Sequence, residues 1–209
     1  MNNNNNKISQ YIGKKFLNNR GEEYTVIDYK KEEGYLIEFE TGNIKIVKNA
    51  SNFKSGKIYD PFFPSVYGEG IIGMRYADRN STSYKMWHNM LQRALSENYK
   101  QQYPTYYNVT VCEEWLTYRN FKSWVENYFL YLSCIAGWKE ISWCLDKDLL
   151  SDDDNKIYSP KTCTFLPNEL NVELSRTVRN KERLLEIADK YKNYLEIRAY
   201  NKIVELCKN

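Results

Sequence analysis

An α+β fold is what this sequence predicts: a small N-terminal β barrel, then a helical domain enclosing a strand-loop-strand-helix unit, then a closing pair of helices. Three patterns carry the prediction. Apolar and polar residues alternate in short runs between Tyr24 and Val47, with glycine turns between them, as antiparallel strands require. Apolar residues recur at helical spacing from Trp87 to Leu95 and from Phe121 to Tyr128. From Trp143 to Pro167 the chain reads strand, acidic loop, strand, and then a proline preorganised for a first helical turn. With 209 residues, 42% of them hydrophobic, it can bury a genuine core.

Residues 1–10 carry the run Asn2 to Asn6, which has nothing to bury, so a disordered leader is expected. Residues 11–60 hold Tyr24-Thr-Val-Ile27, Tyr35-Leu-Ile-Glu-Phe39 and Asn43-Ile-Lys-Ile-Val47, parted by Glu33-Gly34 and Thr41-Gly42. This meander is expected to curl into a small Tudor-like barrel, a shape that binds peptides or nucleic acid or only supports a neighbour. Residues 61–80 form a linker whose prolines and glycines rule out a long regular element and whose aromatics say that it packs. Residues 81–175 begin with Ser81-Thr-Ser83, which caps a helix with Trp87, Met90, Leu91, Ala94 and Leu95 on one face. A strand at Val109-Thr-Val-Cys112 leads to a second helix bearing Phe121, Trp124, Val125 and Tyr128. Next come strands at Trp143-Cys-Leu145 and Thr162-Cys-Thr-Phe-Leu166 around the acidic loop Ser151 to Asn155, and a helix opening at Pro167. Residues 176–209 hold two amphipathic helices, one with Leu184, Ile187, Ala188 and Tyr191, the other with Ile197, Tyr200, Val204 and Cys207.

Thirty Lys and Arg against 27 Asp and Glu leave a formal charge of +3, too small to mark a nucleic-acid binder, so any basic footprint must be local. Five cysteines, odd in number and never in a Cys-x-x-Cys pair, argue against a disulfide framework or a zinc knuckle. The N-terminus lacks the marks of a signal peptide, and no run approaches the ~20 apolar residues of a membrane span. A cytoplasmic protein with no membrane partner is expected. Heavy use of Asn, Lys, Tyr and Ile reports an AT-rich genome, as in a bacteriophage or a low-GC bacterium; a phage protein would sit in the host cytoplasm.

Five separated motifs occur in the order Tyr84-Lys-Met-Trp-His-Asn-Met-Leu-Gln-Arg93, Val109-Thr-Val-Cys-Glu-Glu-Trp115, Asn120-Phe-Lys-Ser-Trp124, Leu145-Asp-Lys-Asp-Leu-Leu150 and Tyr158-Ser-Pro-Lys-Thr-Cys163. They resemble a family of phage and prophage HNH-endonuclease-like proteins over most of the chain. The resemblance implies a ββα unit gripping one divalent metal, with a histidine at the end of its first strand to activate water.

This chain departs from that pattern twice. Its one histidine, His88, lies in the earlier helix, and Asp146-Lys147 stands where an Asp-His pair belongs. A cation there replaces the base and repels a metal ion. Asp146 and Asp148 are then the catalytic candidates, and Asp146, Asp148 and Asn171 can supply oxygen ligands to a magnesium ion. The plain alternative is that the two aspartates cap a turn or pair with Lys147 and Lys156, that Asp152 to Asp154 rim a solvated loop, and that His88 is a packed or surface residue. Second, many relatives follow the Asn-bearing helix with a three-stranded plant ethylene-response-type DNA-binding domain, and Asn171 here runs almost directly into Ser175-Arg-Thr-Val-Arg-Asn-Lys-Glu-Arg-Leu184.

What remains for DNA is the basic run Arg176, Arg179, Lys181 and Arg183, with Lys147 in the core and with Arg75, Arg79, Arg93 and Arg119 able to add to it. Such residues suit phosphate contacts, or they form a solvated helix start. The expectation is a nucleic-acid-binding protein of HNH descent, weak or inactive as a nuclease, with double-stranded DNA as partner. The competing expectation is a phage accessory protein that inhibits a host protein such as an antiviral defence factor. A homo-oligomer is left open by both.

Overall fold

The computed structural model describes residues 10–151, 156–177 and 180–208; the expected leader lies outside them except for Gln10. The fold is mixed α+β, and the described residues divide into two compact units, residues 10–65 with 71–75 and residues 66–70 with 76–208.

In the first unit β1 (Lys15–Leu17), β2 (Glu23–Lys30), β3 (Gly34–Phe39) and β4 (Ile44–Val47) make an antiparallel meander in the order β1-β2-β3-β4. Alternation sends Tyr24, Val26, Tyr35, Ile37 and Phe39 to one face, where Phe53 of the short helix α1 (Ala50–Lys54) packs among them. The Tyr24 hydroxyl donates to the Phe53 carbonyl at 2.5 Å and fastens that helix to the sheet. The expected closed barrel is not formed among the described residues. β1 and β4 have three and four residues and remain edges, and a helix covers the apolar face instead. Gly34 is required at its turn: it has φ of +118°, and a β carbon there would lie 2.5 Å from the Val47 carbonyl oxygen. On the other face Leu17, Ile44 and Ile46 are exposed.

In the second unit Ser81 accepts from the Tyr84 N–H and caps α2 (Thr82–Leu95). There follow α3 (Glu97–Gln102), a 3-10 turn at Pro104–Tyr106, β5 (Thr110–Val111), α4 (Glu113–Leu116) and α5 (Tyr118–Leu132). The predicted faces of α2 and α5 are the buried ones: Trp87, Met90, Leu91, Phe121 and Val125 are at most 5% exposed. The Trp87 indole N–H donates to the Trp115 carbonyl at 2.8 Å.

Strand β6 (Trp143–Asp146) pairs antiparallel with β8 (Thr164–Pro167), from Trp143 opposite Pro167 to Asp146 opposite Thr164. Between them β7 (Ile157–Tyr158) leaves that hairpin and pairs in parallel with β5. Helix α6 (Asn168–Leu174) starts one residue later than expected; Pro167 ends the strand and caps the helix with extended backbone. Helices α7 (Lys181–Lys190) and α8 (Ile197–Lys208) close the unit.

Residues 176–208 do not stand apart. Leu149, Leu166 and Leu170 share one core with Leu184, Ile187, Ala188, Leu195, Ala199 and Ile203. The buried line of α8 is Ala199 and Ile203, whereas Ile197, expected on the apolar face, is 71% exposed. A small residue turned inward lets the helix backbone approach its neighbours closely. The Arg198 guanidinium donates to the carbonyls of Pro160, Lys161 and Cys163 at 3.0, 2.5 and 2.8 Å, which fixes the turn between β7 and β8. The stretch 61–80 is likewise no free linker: Val66 bridges Gly70 within the second unit, while residues 71–75 belong to the first.

Leu170→Ala is expected to cost about 2–5 kcal/mol, the usual price of emptying a fully buried leucine site. Urea unfolding followed by tryptophan fluorescence checks it, since all five tryptophans lie in the second unit. A loss under about 1 kcal/mol would mean that the C-terminal helices do not share the core.

Candidate functional site

A pocket of about 730 Å³ opens at the end of β6, walled by residues from α2, the 3-10 turn, β6, β7, α6 and α8. Asp146 ends the strand. Its Oδ1 accepts from the Asp148 and Leu149 N–H groups at 3.1 and 2.8 Å, so the side chain caps a tight turn. That turn carries Lys147 inward, where it is 7% exposed. Its ammonium nitrogen lies 2.5 Å from Asp148 Oδ1 and 5.7 and 5.8 Å from the ring centres of Tyr106 and Tyr158. Arg93, in the last turn of α2, sits against Tyr158 and 6.0 Å from the Tyr106 ring centre. Asn171 and Lys202 also line the pocket.

Three cations and two carboxylates therefore meet in one pocket, and burial acts on one of the carboxyls. It pushes the Asp146 carboxyl above its ordinary range; the Leu149 N–H opposes the shift and neighbouring Asp148 adds to it. It also pushes the Tyr158 hydroxyl well up, against the pull of Arg93, so this phenol is a hydrogen-bonding group and not a base.

Of the residues singled out in the sequence, Asp146, Lys147, Asp148 and Asn171 all line this pocket. A divalent cation nevertheless fits this donor set poorly. One Asp146 oxygen already takes two backbone N–H groups, and Asp148 is held by Lys147, whose ammonium would repel the metal. Among the described residues no three His, Cys, Asp or Glu side chains converge as ligands. His88 is outside the pocket; its ring packs 5.1 Å from that of Tyr67 and 6.2 Å from that of Tyr84.

The expected basic run is partly engaged elsewhere. Arg176 and Arg183 each place Nε 3.4 Å from Oε2 of Glu173, a carboxylate only 2% exposed. Lys181 is exposed at the start of α7, and Arg179 and Asp152 to Asp154 lie outside the described residues. Arg79 and Arg119 are exposed and do not line the pocket, and Arg75 belongs to the other unit. Tyr106, Tyr158 and Lys202 were not legible as site residues. They come from three distant segments, and only the pairing of β7 with β5 and the packing of α8 gather them.

Comparisons of the chain with known protein families, with curated proteins and with solved structures return no match. No helix among the described residues is long and apolar enough to cross a membrane.

The raised Asp146 carboxyl has a consequence for stability. A folded-state pKa above the unfolded one contributes stability that is complete below about pH 4 and is lost as pH rises through the folded value. Asp146→Asn keeps the Oδ1 acceptor and removes the titration. The variant should be more stable than wild type at pH 7, with a gap that closes as pH falls toward about 4. Urea unfolding across that range measures it, and a gap independent of pH would contradict the assignment.

Proposed function

We propose that this chain is a nucleic-acid-binding protein of HNH-endonuclease-like descent whose former hydrolytic centre has become a seat for a backbone phosphate. The observation that carries the reading is Lys147: a buried ammonium, flanked by Tyr106 and Tyr158 and neighboured by Arg93, stands where the lineage needs a neutral base. The five motifs support the descent, and the run of β6, β8 and α6 is compatible with a degenerate ββα unit.

An anion suits the pocket better than a metal ion. Among the lining residues Arg93, Lys147 and Lys202 outnumber Asp146 and Asp148; Asp148 pairs with Lys147 and Glu205 with Lys202, and burial biases the carboxyl of Asp146 toward its neutral form. Magnesium on Asp146, Asp148 and Asn171 rests on the resemblance alone. Without a histidine at the strand end, strand cleavage is not the expected outcome of binding.

Anisotropy titration of a labelled DNA duplex between 50 and 200 mM salt tests the reading. Affinity should fall steeply with salt, and Lys147→Met and the more exposed Lys202→Gln should each flatten the log–log slope by about one unit. Plasmid incubated with the same preparation and Mg²⁺ or Mn²⁺ should stay uncut. Absence of binding to any duplex, blunt or with an overhang, at 50 mM salt, or slopes that neither substitution changes, would defeat the proposal.

A second reading, a host protein as partner, is favoured by the outer face of the N-terminal sheet. There Leu17, Ile44 and Ile46 are 63%, 40% and 47% exposed. It requires a stoichiometric host protein that wild type captures and Ile46→Glu does not; equal capture by both would remove it.

A further inference from the structure

Beside the pocket lies an aromatic cluster that neither the phosphate seat nor the core uses in full. Tyr106 forms part of the pocket wall, with Arg93 and Lys147 over its ring. The ring of Tyr99 lies 5.5 Å from that of Tyr106, and the ring of Tyr103 lies 4.7 Å from that of Tyr99. The series thus runs from the cationic pocket to the surface in two ring-to-ring steps. At its outer end Tyr103 is 43% exposed, and Tyr107, the residue after Tyr106, is 53% exposed.

The rings are carried on short, turn-like backbone that holds them in place. Ser96 accepts from the Tyr99 N–H and caps α3, and the Tyr103 N–H is tied to the Tyr99 carbonyl at 2.9 Å. The Tyr106 N–H donates to the Tyr103 carbonyl at 3.0 Å and the Tyr107 N–H to the Pro104 carbonyl at 3.1 Å. Backbone tied in this way has little freedom left to lose when a flat ligand lands on the rings, and the Tyr103 ring is packed against that of Tyr99.

We propose that Tyr103 and Tyr107 form a stacking platform for unpaired bases, so that the preferred ligand is nucleic acid with a single-stranded segment whose phosphate enters the Arg93–Lys147 pocket. The inference rests on the phosphate-seat reading and narrows its substrate class. Paired bases inside a duplex have no free face to offer, whereas every unpaired base does, so the platform selects for strandedness and not for sequence. The cationic pocket supplies the charge complementarity that an aromatic patch alone lacks.

The test compares three labelled probes at one salt concentration: a blunt duplex, the same duplex with an overhang of about six thymidines, and the same duplex with an abasic overhang of equal length. The thymidine overhang should tighten binding about tenfold over the blunt duplex, as one stacked base provides. The abasic overhang carries the same phosphates and should not. Tyr103→Leu should erase the gain and Tyr103→Phe should keep it, because stacking needs the ring and not the hydroxyl. Circular dichroism of both variants establishes that they are folded. Equal binding of thymidine and abasic overhangs, or a full gain in folded Tyr103→Leu, overturns the stacking platform while leaving the phosphate seat standing. Failure of all three probes to bind at 50 mM salt overturns both.

Discussion

An ammonium taken out of water costs several kcal/mol unless opposite charge and polarisable groups replace its hydration, and Lys147 imposes that requirement on its surroundings. Asp148 supplies the charge, and the faces of Tyr106 and Tyr158 supply negative quadrupole density on two sides. Each of these partners must then be held. Asp148 is placed by the turn that Asp146 caps, Tyr158 by the pairing of β7 with β5, and Tyr106 by the 3-10 turn after α3. The turn after β6, the 3-10 turn and β7 thus both wall the pocket and hold the partners of Lys147.

The second unit keeps those elements in register through a core that spans the hairpin and the closing helices. Leu166 and Leu170 come from one side and Leu184, Ala199 and Ile203 from the other. Arg198 adds a polar tie, spending three N–H groups on carbonyls of the turn that precedes β8. Those carbonyls belong to a tight turn with few backbone partners, so one guanidinium satisfies several acceptors at once. Because α8 also contributes Lys202 to the pocket, packing of the C-terminal helix and completion of the site are one event.

Much of this was legible in the residues, and the part that was not has a common cause. Strong local periodicity revealed β2, β3, α2 and α5, and the Asp-x-Asp spacing around Lys147 already allowed a capped turn, which is what Asp146 makes. Strand β1 and helix α1 are too short for periodicity to register, so the helix that covers the apolar face of the open meander was not foreseen. The two-residue pairing of β5 with β7 joins segments far apart in sequence and leaves no local trace. In α8 the larger apolar residues pointed to the face of Ile197, but the helix buries the face of Ala199 and Ile203. Glu173 was hidden for a similar reason: a glutamate on a short amphipathic helix reads as solvent-facing until its neighbours bury it.

Glu173 also changes how the basic run after α6 acts. Among the described residues its Oε1 is buried without a hydrogen-bond partner, and its Oε2 faces the Nε atoms of both Arg176 and Arg183 at 3.4 Å. A carboxylate so buried is tolerable only with positive charge close by, so part of each arginine's charge is committed to the protein itself. Both guanidinium side chains nevertheless remain more than half exposed. Each faces the carboxylate through its Nε. Such a pair can touch a phosphate, but it brings less net charge than two unpaired arginines would. Lys147 and Lys202 have carboxylate partners of their own, Asp148 at 2.5 Å and Glu205 at 3.4 Å, so pairing alone does not separate the pocket from the run; what distinguishes the pocket is the pair of tyrosine rings around Lys147.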